Sequence, residues 1–189
     1  MKRVPRVLIV MSSPRPAGNS SALAAEAARG AADAGAEVRT VRLAELAIAP
    51  CRACDGCRKA GAKGCVQDDD MTALHRDVKA ADALIIASPV YWFTMSAQAK
   101  IFMDRLYAFG AKNYREIRGK RAGVILTSGD VGLRSSGAIN AVNAFRDAFA
   151  YLGVPIAGVV HGRGGQPGAV RKNKALLAKA YALGTSLVS

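Results

Sequence analysis

The stretch Ser88–Asp104 reads S-P-V-Y-W-F-T-M-S-A-Q-A-K-I-F-M-D, and it follows the apolar run Ala83–Ala87, A-L-I-I-A. Such a run suits a strand buried on both faces, as in a parallel sheet. Pro89 has no N–H and disfavours helix at Ser88, so the strand is predicted to end there. Ser96 stands as a helix N-cap, with Lys100 and Asp104 one and two turns on. Between strand and helix lie Val90, Tyr91, Trp92 and Phe93, including the chain's only tryptophan. Aromatic side chains at the carboxyl end of a parallel strand are poorly placed as core. In an open α/β sheet that is where ligands bind. The competing reading is a hydrophobic loop buried under its own helix or in a contact between copies.

The same strand–loop–helix unit recurs on both sides. Arg6–Val10 is a strand, Met11–Ser21 a polar loop (M-S-S-P-R-P-A-G-N-S-S), and the Ala-rich Ser20–Ala34 a helix ending near Gly35. The free N–H groups and positive dipole end of that helix face the loop and form an anion site. Ser13, Ser20 and Ser21 offer hydroxyls, Asn19 an amide and Arg15 a forked charge. Neither G-x-G-x-x-G nor G-K-[ST] occurs, so this is neither a dinucleotide fingerprint nor a P-loop. Glu37–Leu43 alternates polar and apolar like an edge strand, predicted parallel to the first and beside it. Met71–Ala80 is a short helix with Asp69 and Asp70 at its favourable dipole end. Arg121–Thr127 is the fourth strand and runs into the polar loop Ser128-Gly129-Asp130-Val131-Gly132. Ser136–Tyr151 is a helix closed by Gly153, Pro155–Val160 the fifth strand, and Ala169–Leu187 the last helix. His75 reads as a surface helix residue. His161 sits at a strand end, but the glycines after it suggest a flexible loop, and neither histidine is taken as catalytic.

Between the second strand and Met71 runs a long excursion, Ala44–Met71, with every cysteine of the chain: Cys51, Cys54, Cys57 and Cys65. Loops of this length in a compact domain are usually functional. In C-x2-C-x2-C-x7-C, three thiols two residues apart can converge on one cube, and a fourth after a glycine-containing turn can close it. Ferredoxin-type segments share the first part but have a shorter last gap and a following Pro, where this chain has Val66. Arg52, Arg58, Lys59 and Lys63 would offset the charge of four thiolates. A [4Fe–4S] cluster, free thiols and zinc all stay open; zinc knuckles use a closer second pair. A structural disulfide does not suit a cytoplasmic protein.

The segment S-P-V-Y-W-F-T-M-S-A-Q-A-K-I-F-M-D-R resembles the isoalloxazine loop and following helix of NAD(P)H-dependent FMN reductases, a family that includes iron–sulfur flavoproteins and quinone reductases. The first loop resembles the family's phosphate loop, G-S-P-R-x-x-G-N-[ST], with Ser12 where the first Gly is usual. The cysteine segment looks like the compact motif that holds a [4Fe–4S] cluster in the iron–sulfur flavoproteins; many wider relatives show similar cysteines without a known cluster. The resemblance covers most of the chain. It implies a flavodoxin-like fold, FMN as cofactor, NAD(P)H as substrate, and dimers or tetramers in which a second copy covers the flavin.

Five strands alternating with helices predict one domain over residues 1–189: a doubly wound, five-stranded parallel sheet in the order 2-1-3-4-5, with helices on both faces. Three loops meet at its switch point. Ser13, Arg15, Asn19, Ser20 and Ser21 supply phosphate donors. Pro89, Val90, Tyr91, Trp92 and Phe93 supply an aromatic wall, and Ser128, Gly129 and Asp130 supply donors for a polar heterocycle edge. This set suits FMN better than ATP, which would want a lysine on its phosphates and a magnesium carboxylate. Hydride transfer through a flavin needs no side-chain acid or base, so no catalytic residue is assigned.

Composition bounds the rest. The 189 residues are 51% hydrophobic and 22% charged, which places the chain among globular proteins. No apolar run approaches the ~20 residues of a membrane span. The basic start followed by Val7–Met11 is too short an apolar segment for a signal peptide, so a cytoplasmic location is expected. The net charge of +13 comes with no basic helix, aromatic-studded sheet motif or zinc-finger spacing. Nucleic acid is therefore not the expected partner; anionic cofactors account for the charge as well. A small-molecule electron acceptor is expected.

Overall fold

Three apolar runs set the centre of the molecule. Val7–Val10, Ala83–Ala87 and Ala122–Leu126 are almost wholly buried, because each is hydrogen-bonded to a strand on either side and covered by helices above and below. The computed structural model describes residues 3–188. Its strands are β1 (Arg6–Met11), β2 (Glu37–Arg42), β3 (Ala83–Tyr91), β4 (Thr94–Met95), β5 (Arg121–Ser128) and β6 (Ile156–Arg163). The main sheet is parallel in the order β2-β1-β3-β5-β6, the expected flavodoxin-like order with one short addition. That addition is β4, a two-residue strand antiparallel to the end of β3.

Alternation along the strands divides the core. Leu8, Val10, Leu84, Ile86, Val124 and Leu126 face α2 (Met71–Ala80), α3 (Ala97–Arg105) and α4 (Ala138–Leu152). Val7, Ile9, Ala83, Ile85 and Ile125 face α1 (Asn19–Asp33) and α5 (Lys174–Ser186). Helices α1 and α5 pack backbone against backbone: a Cβ on Gly30 would overlap the Tyr181 carbonyl, and one on Gly184 the Ala27 carbonyl. No helix among the described residues is long and apolar enough to cross a membrane.

Three sequence expectations are corrected. β3 runs through Pro89 to Tyr91, with Pro89 in register with Thr127 of β5. The Ala87 carbonyl accepts from the Ser12 N–H, so Pro89, two residues on, turns the same edge toward β1. β1 has already ended there, and no ladder bond is lost. β6 extends past Val160 to Arg163, which places His161 inside a strand paired with Leu126. The final helix is split: a 3-10 turn at Ala169–Lys172 precedes Asn173, whose side chain caps α5 by accepting from the Leu176 N–H at 3.0 Å.

Candidate functional site

The carboxyl ends of β1, β3 and β5 meet in one crevice. Ser13, Arg15, Asn19 and Ser20 line it from the first loop, Pro89, Val90 and Tyr91 from the end of β3, and Ser128 and Gly129 from the end of β5. Gly18 is the N-cap of α1, in extended conformation and with no side-chain cap. Its carbonyl accepts from the Ala22 N–H, so the N–H groups of Asn19, Ser20 and Ser21 lie outside the helical ladder. A Cβ on Gly18 would stand 2.7 Å from Ser13 Oγ, so only glycine lets this turn close. Ser13 Oγ accepts from the Arg15 N–H at 3.2 Å, and the Arg15 side chain is left exposed at the mouth. The Ser21 hydroxyl is buried and has no partner. Open N–H groups, a helix dipole and a guanidinium are the donor set a phosphate requires.

Asn19 is placed differently from the other loop donors. Its amide nitrogen donates to the carbonyls of Gly164 and, at 2.9 Å, Gln166, and its oxygen accepts from the Val170 N–H at 3.3 Å. It staples the glycine-rich loop after β6 to α1, and so the expected flexible loop is tied down. That loop adds Gly164, Gly165 and Pro167 to the crevice wall, a contribution that loop composition alone did not signal.

Three buried serines join the first loop to the aromatic one. Ser96 Oγ donates to Ser12 Oγ at 2.8 Å, and Ser12 Oγ lies 3.2 Å from the Ala87 carbonyl it donates to. The Ser96 N–H donates to Ser88 Oγ at 3.0 Å, and Ser88 Oγ to the Pro89 carbonyl at 2.8 Å. Ser12 is thus a structural link, which a glycine there could not make.

Beyond this lock the chain reverses through Trp92 and Phe93, both left-handed (φ 46° and 64°). Two such residues between antiparallel strands form the primed type of hairpin turn, normally Asn-Gly. In aromatic residues each costs on the order of 1 kcal/mol or more. The turn is held from outside: Asn140 Nδ2 donates to the Phe93 carbonyl at 3.0 Å, and a Cβ on Gly137 would overlap Phe93. Trp92 is nonetheless 93% exposed. Core packing does not explain a strained turn that presents a bare indole. Trp92, Phe93, Ser21 and Asp130 flank the crevice and do not line it.

At the third loop, Ser128 Oγ lies 2.7 Å from His161 Nε2 and donates to the Asp130 carbonyl at 2.8 Å. His161 is half-buried, and burial pushes its pKa down, with Asp130 opposing. Arg163 Nε donates to the Gly129 carbonyl at 3.2 Å. The Asp130 carboxyl is held below the usual range, chiefly by the Ser135 hydroxyl. His161 therefore shapes the loop, a role hidden from the sequence because it depends on β6 running three residues further.

The cysteine excursion is organised by Arg105, at the end of α3 and only 1% exposed. Its guanidinium donates to both Asp69 carboxylate oxygens (2.6 and 2.9 Å) and to the Ala49 carbonyl (2.7 Å), and lies 3.6 Å from Cys65 Sγ. Tyr107 Oη donates to Asp55 at 3.1 Å, and Arg58 lies over the Tyr107 ring. His75, expected at the surface, is half-buried edge-on to Phe109, its Nε2 2.9 Å from the Arg105 carbonyl. All four thiols are free; Cys51 and Cys54 are exposed, Cys65 is half-buried and Cys57 buried. Burial, and then the neighbouring Cys65, push the Cys57 thiol up. Among the described residues no three His, Cys, Asp or Glu side chains converge closely enough to hold a metal ion. The donor chemistry suits a cluster, but the thiols as placed do not form its cage.

Fold and site together define a flavodoxin-like α/β protein with a polar crevice at its strand ends and a cysteine-bearing excursion held to the end of α3 by Arg105. The chain belongs to the NADPH-dependent FMN reductase family, which residues 5–162 match. It is 37% identical over 123 residues to an iron-sulfur flavoprotein of Archaeoglobus fulgidus, a match spanning 65% of this chain and 54% of the relative. It is 32% identical over 149 residues to the iron-sulfur flavoprotein of Methanosarcina thermophila, covering 79% and 75%. The chain thus spans about half the length of the Archaeoglobus relative. Its fold matches that of the NAD(P)H:quinone oxidoreductase from Methanothermobacter marburgensis, with a TM-score of 0.76, 19% identity and 98% of both chains covered.

Proposed function

We propose that this protein binds FMN and passes hydride from NAD(P)H through it to a small acceptor such as a free flavin or a quinone. The observation that carries this reading is that the α1 N-terminus, the Pro89–Tyr91 end of β3 and the Ser128–Gly129 loop line one crevice, with the strained Trp92–Phe93 turn at its flank. The open N–H groups of Asn19, Ser20 and Ser21, with Arg15, bind the phosphate. The Tyr91–Phe93 backbone and the indole of Trp92 orient the ring and keep water from one face. The backbone after Ser128 donates to the polar edge of the ring, favouring its reduced, more negative form. The cofactor supplies the redox chemistry itself, so no side chain acts as acid or base. The exposure of Trp92 supports a homodimer or homotetramer in which a second copy completes the site.

Trp92 also provides the test. FMN titrated into cofactor-free protein is expected to quench its emission, and riboflavin, lacking the phosphate, to bind far more weakly. Arg15→Ala is expected to weaken FMN binding by roughly 1.5–3 kcal/mol, the range for a charge-assisted hydrogen bond. Equal affinity for riboflavin and FMN overturns the phosphate assignment.

A second reading, an electron carrier with a [4Fe–4S] cluster, is supported by four free thiols within Cys51–Cys65 and a buried guanidinium beside Cys65. It requires the excursion to close until Cys51, Cys54, Cys57 and Cys65 share one cage. On this reading anaerobically prepared protein contains about four irons per chain, and any single Cys→Ser change removes most of them. Iron-free protein after anaerobic reconstitution refutes it.

A further inference from the structure

On the α2 side of the sheet lies a second cleft, of about 660 Å³, which shares no lining residue with the crevice. That size is within the range of small-molecule sites. Its three walls are the loop after Cys57, helix α2 and the segment after α3, and each contributes cations: Lys59 and Lys63, Arg76 and Lys79, and Lys112. Glu116 is the one carboxylate among the lining residues, and it is already ion-paired to both Lys79 and Lys112. Those two lysines hold its carboxyl below the usual range. None of the ion pairs among the described residues involves Lys59, Lys63 or Arg76. Like charges gathered in a concavity focus the field there and repel one another until an anion fills the space. Apolar groups share the lining: Val66, 56% exposed, with Ala60, Ala62, Ala108 and Phe109. Lys59 and Lys63 are set apart by a tight turn, with the Ala62 N–H donating to the Lys59 carbonyl at 3.0 Å and Gly61 at φ 78°.

We infer that this cleft binds a nucleoside polyphosphate, its phosphates on Lys59, Lys63 and Arg76 and its base against Val66 and the Ala60–Ala62 turn. Compensation of the cysteine thiolates does not explain the arrangement. Cys65 itself lines the cleft, but the cation at its thiol is Arg105, outside the cleft, while Arg76, Lys79 and Lys112 come from the opposite walls. The inference is independent of the flavin reading.

The test is calorimetric titration of ADP, adenosine and pyrophosphate into the full chain saturated with FMN, which keeps the phosphate crevice filled. ADP is expected to bind at one site that weakens with added salt, and adenosine not to bind. K63E and R76E are each expected to weaken ADP roughly tenfold or more, with FMN binding and circular dichroism unchanged. C51S, at an exposed cysteine outside the cleft, should leave ADP affinity unchanged. Pyrophosphate binding as tightly as ADP would overturn the nucleotide assignment. Absence of ADP binding, or binding indifferent to K63E and R76E but lost in C51S, would overturn the site.

Discussion

Arg105→Met should free the cysteine excursion while leaving the sheet folded. Arg105 is 1% exposed and its guanidinium bonds to Asp69 and the Ala49 carbonyl, both in the excursion or at its end. Removing one member of a buried ion pair costs roughly 3–5 kcal/mol, because the other charge is stranded. Asp69 keeps two backbone donors, Ala49 N at 3.0 Å and Met71 N at 3.1 Å, and Arg105 Nε is itself buried without a partner. Both facts place the cost at the lower end, about 3 kcal/mol. Most of it should appear as local opening of residues 44–71, because the hydrogen bonds that the substitution removes tie down that segment. About 3 kcal/mol raises the open population on the order of 100-fold. Thiol labelling of Cys57, the buried cysteine, should accelerate by that factor and that of Cys51 hardly at all. The double variant R105M/D69N should recover part of the stability, since no charge is left stranded. Asp69 adds a pH signature. Its carboxyl lies below the ordinary 3.8, first because of the Arg105 hydrogen bond. The pair's contribution is therefore complete above about pH 4 and is lost as pH falls through the lower folded value. Unchanged Cys57 labelling in a variant whose global stability has dropped would refute the reasoning and make Arg105 part of the common core.

Gly137→Ala places a Cβ against Phe93 at a residue with φ 72°. It should weaken FMN binding without unfolding the protein, whereas Gly35→Ala, with φ 93° but nothing within 4 Å, should cost about 1 kcal/mol of strain and leave FMN affinity alone. Equal FMN affinities in the two variants would show that the turn's position is irrelevant to the cofactor. Burial lowers the pKa of both His75 and His161 below 6.5, so below that pH the unfolded chain binds protons the folded one refuses. Stability measured by denaturant titration should fall as pH drops below about 6.5, by at most about 1.4 kcal/mol per pH unit for each histidine. H75Q and H161Q should each flatten the curve; an unaltered slope in both excludes the histidines as its source.

The local signals in the sequence were sufficient for the order of the parallel sheet. Each apolar run of β1, β3 and β5 is flanked by its own loop and helix, and a chain of such units has few ways to wind. The loops that carry the crevice were legible for the same reason, because strand ends determine where they lie. Three features required the tertiary structure. Pro89 looks like a strand terminus until β1 is seen to end before it. Asn19 looks like a phosphate donor until the loop after β6 arrives to take its amide. Arg105 drew no reading from the sequence, because only the fold brings Asp69 and Cys65, 36 and 40 residues away, to its guanidinium. Periodicity and turn chemistry act between neighbours and can be read along the chain. The state of a polar side chain depends on which distant group occupies the space beside it, and that is settled only when the layers close.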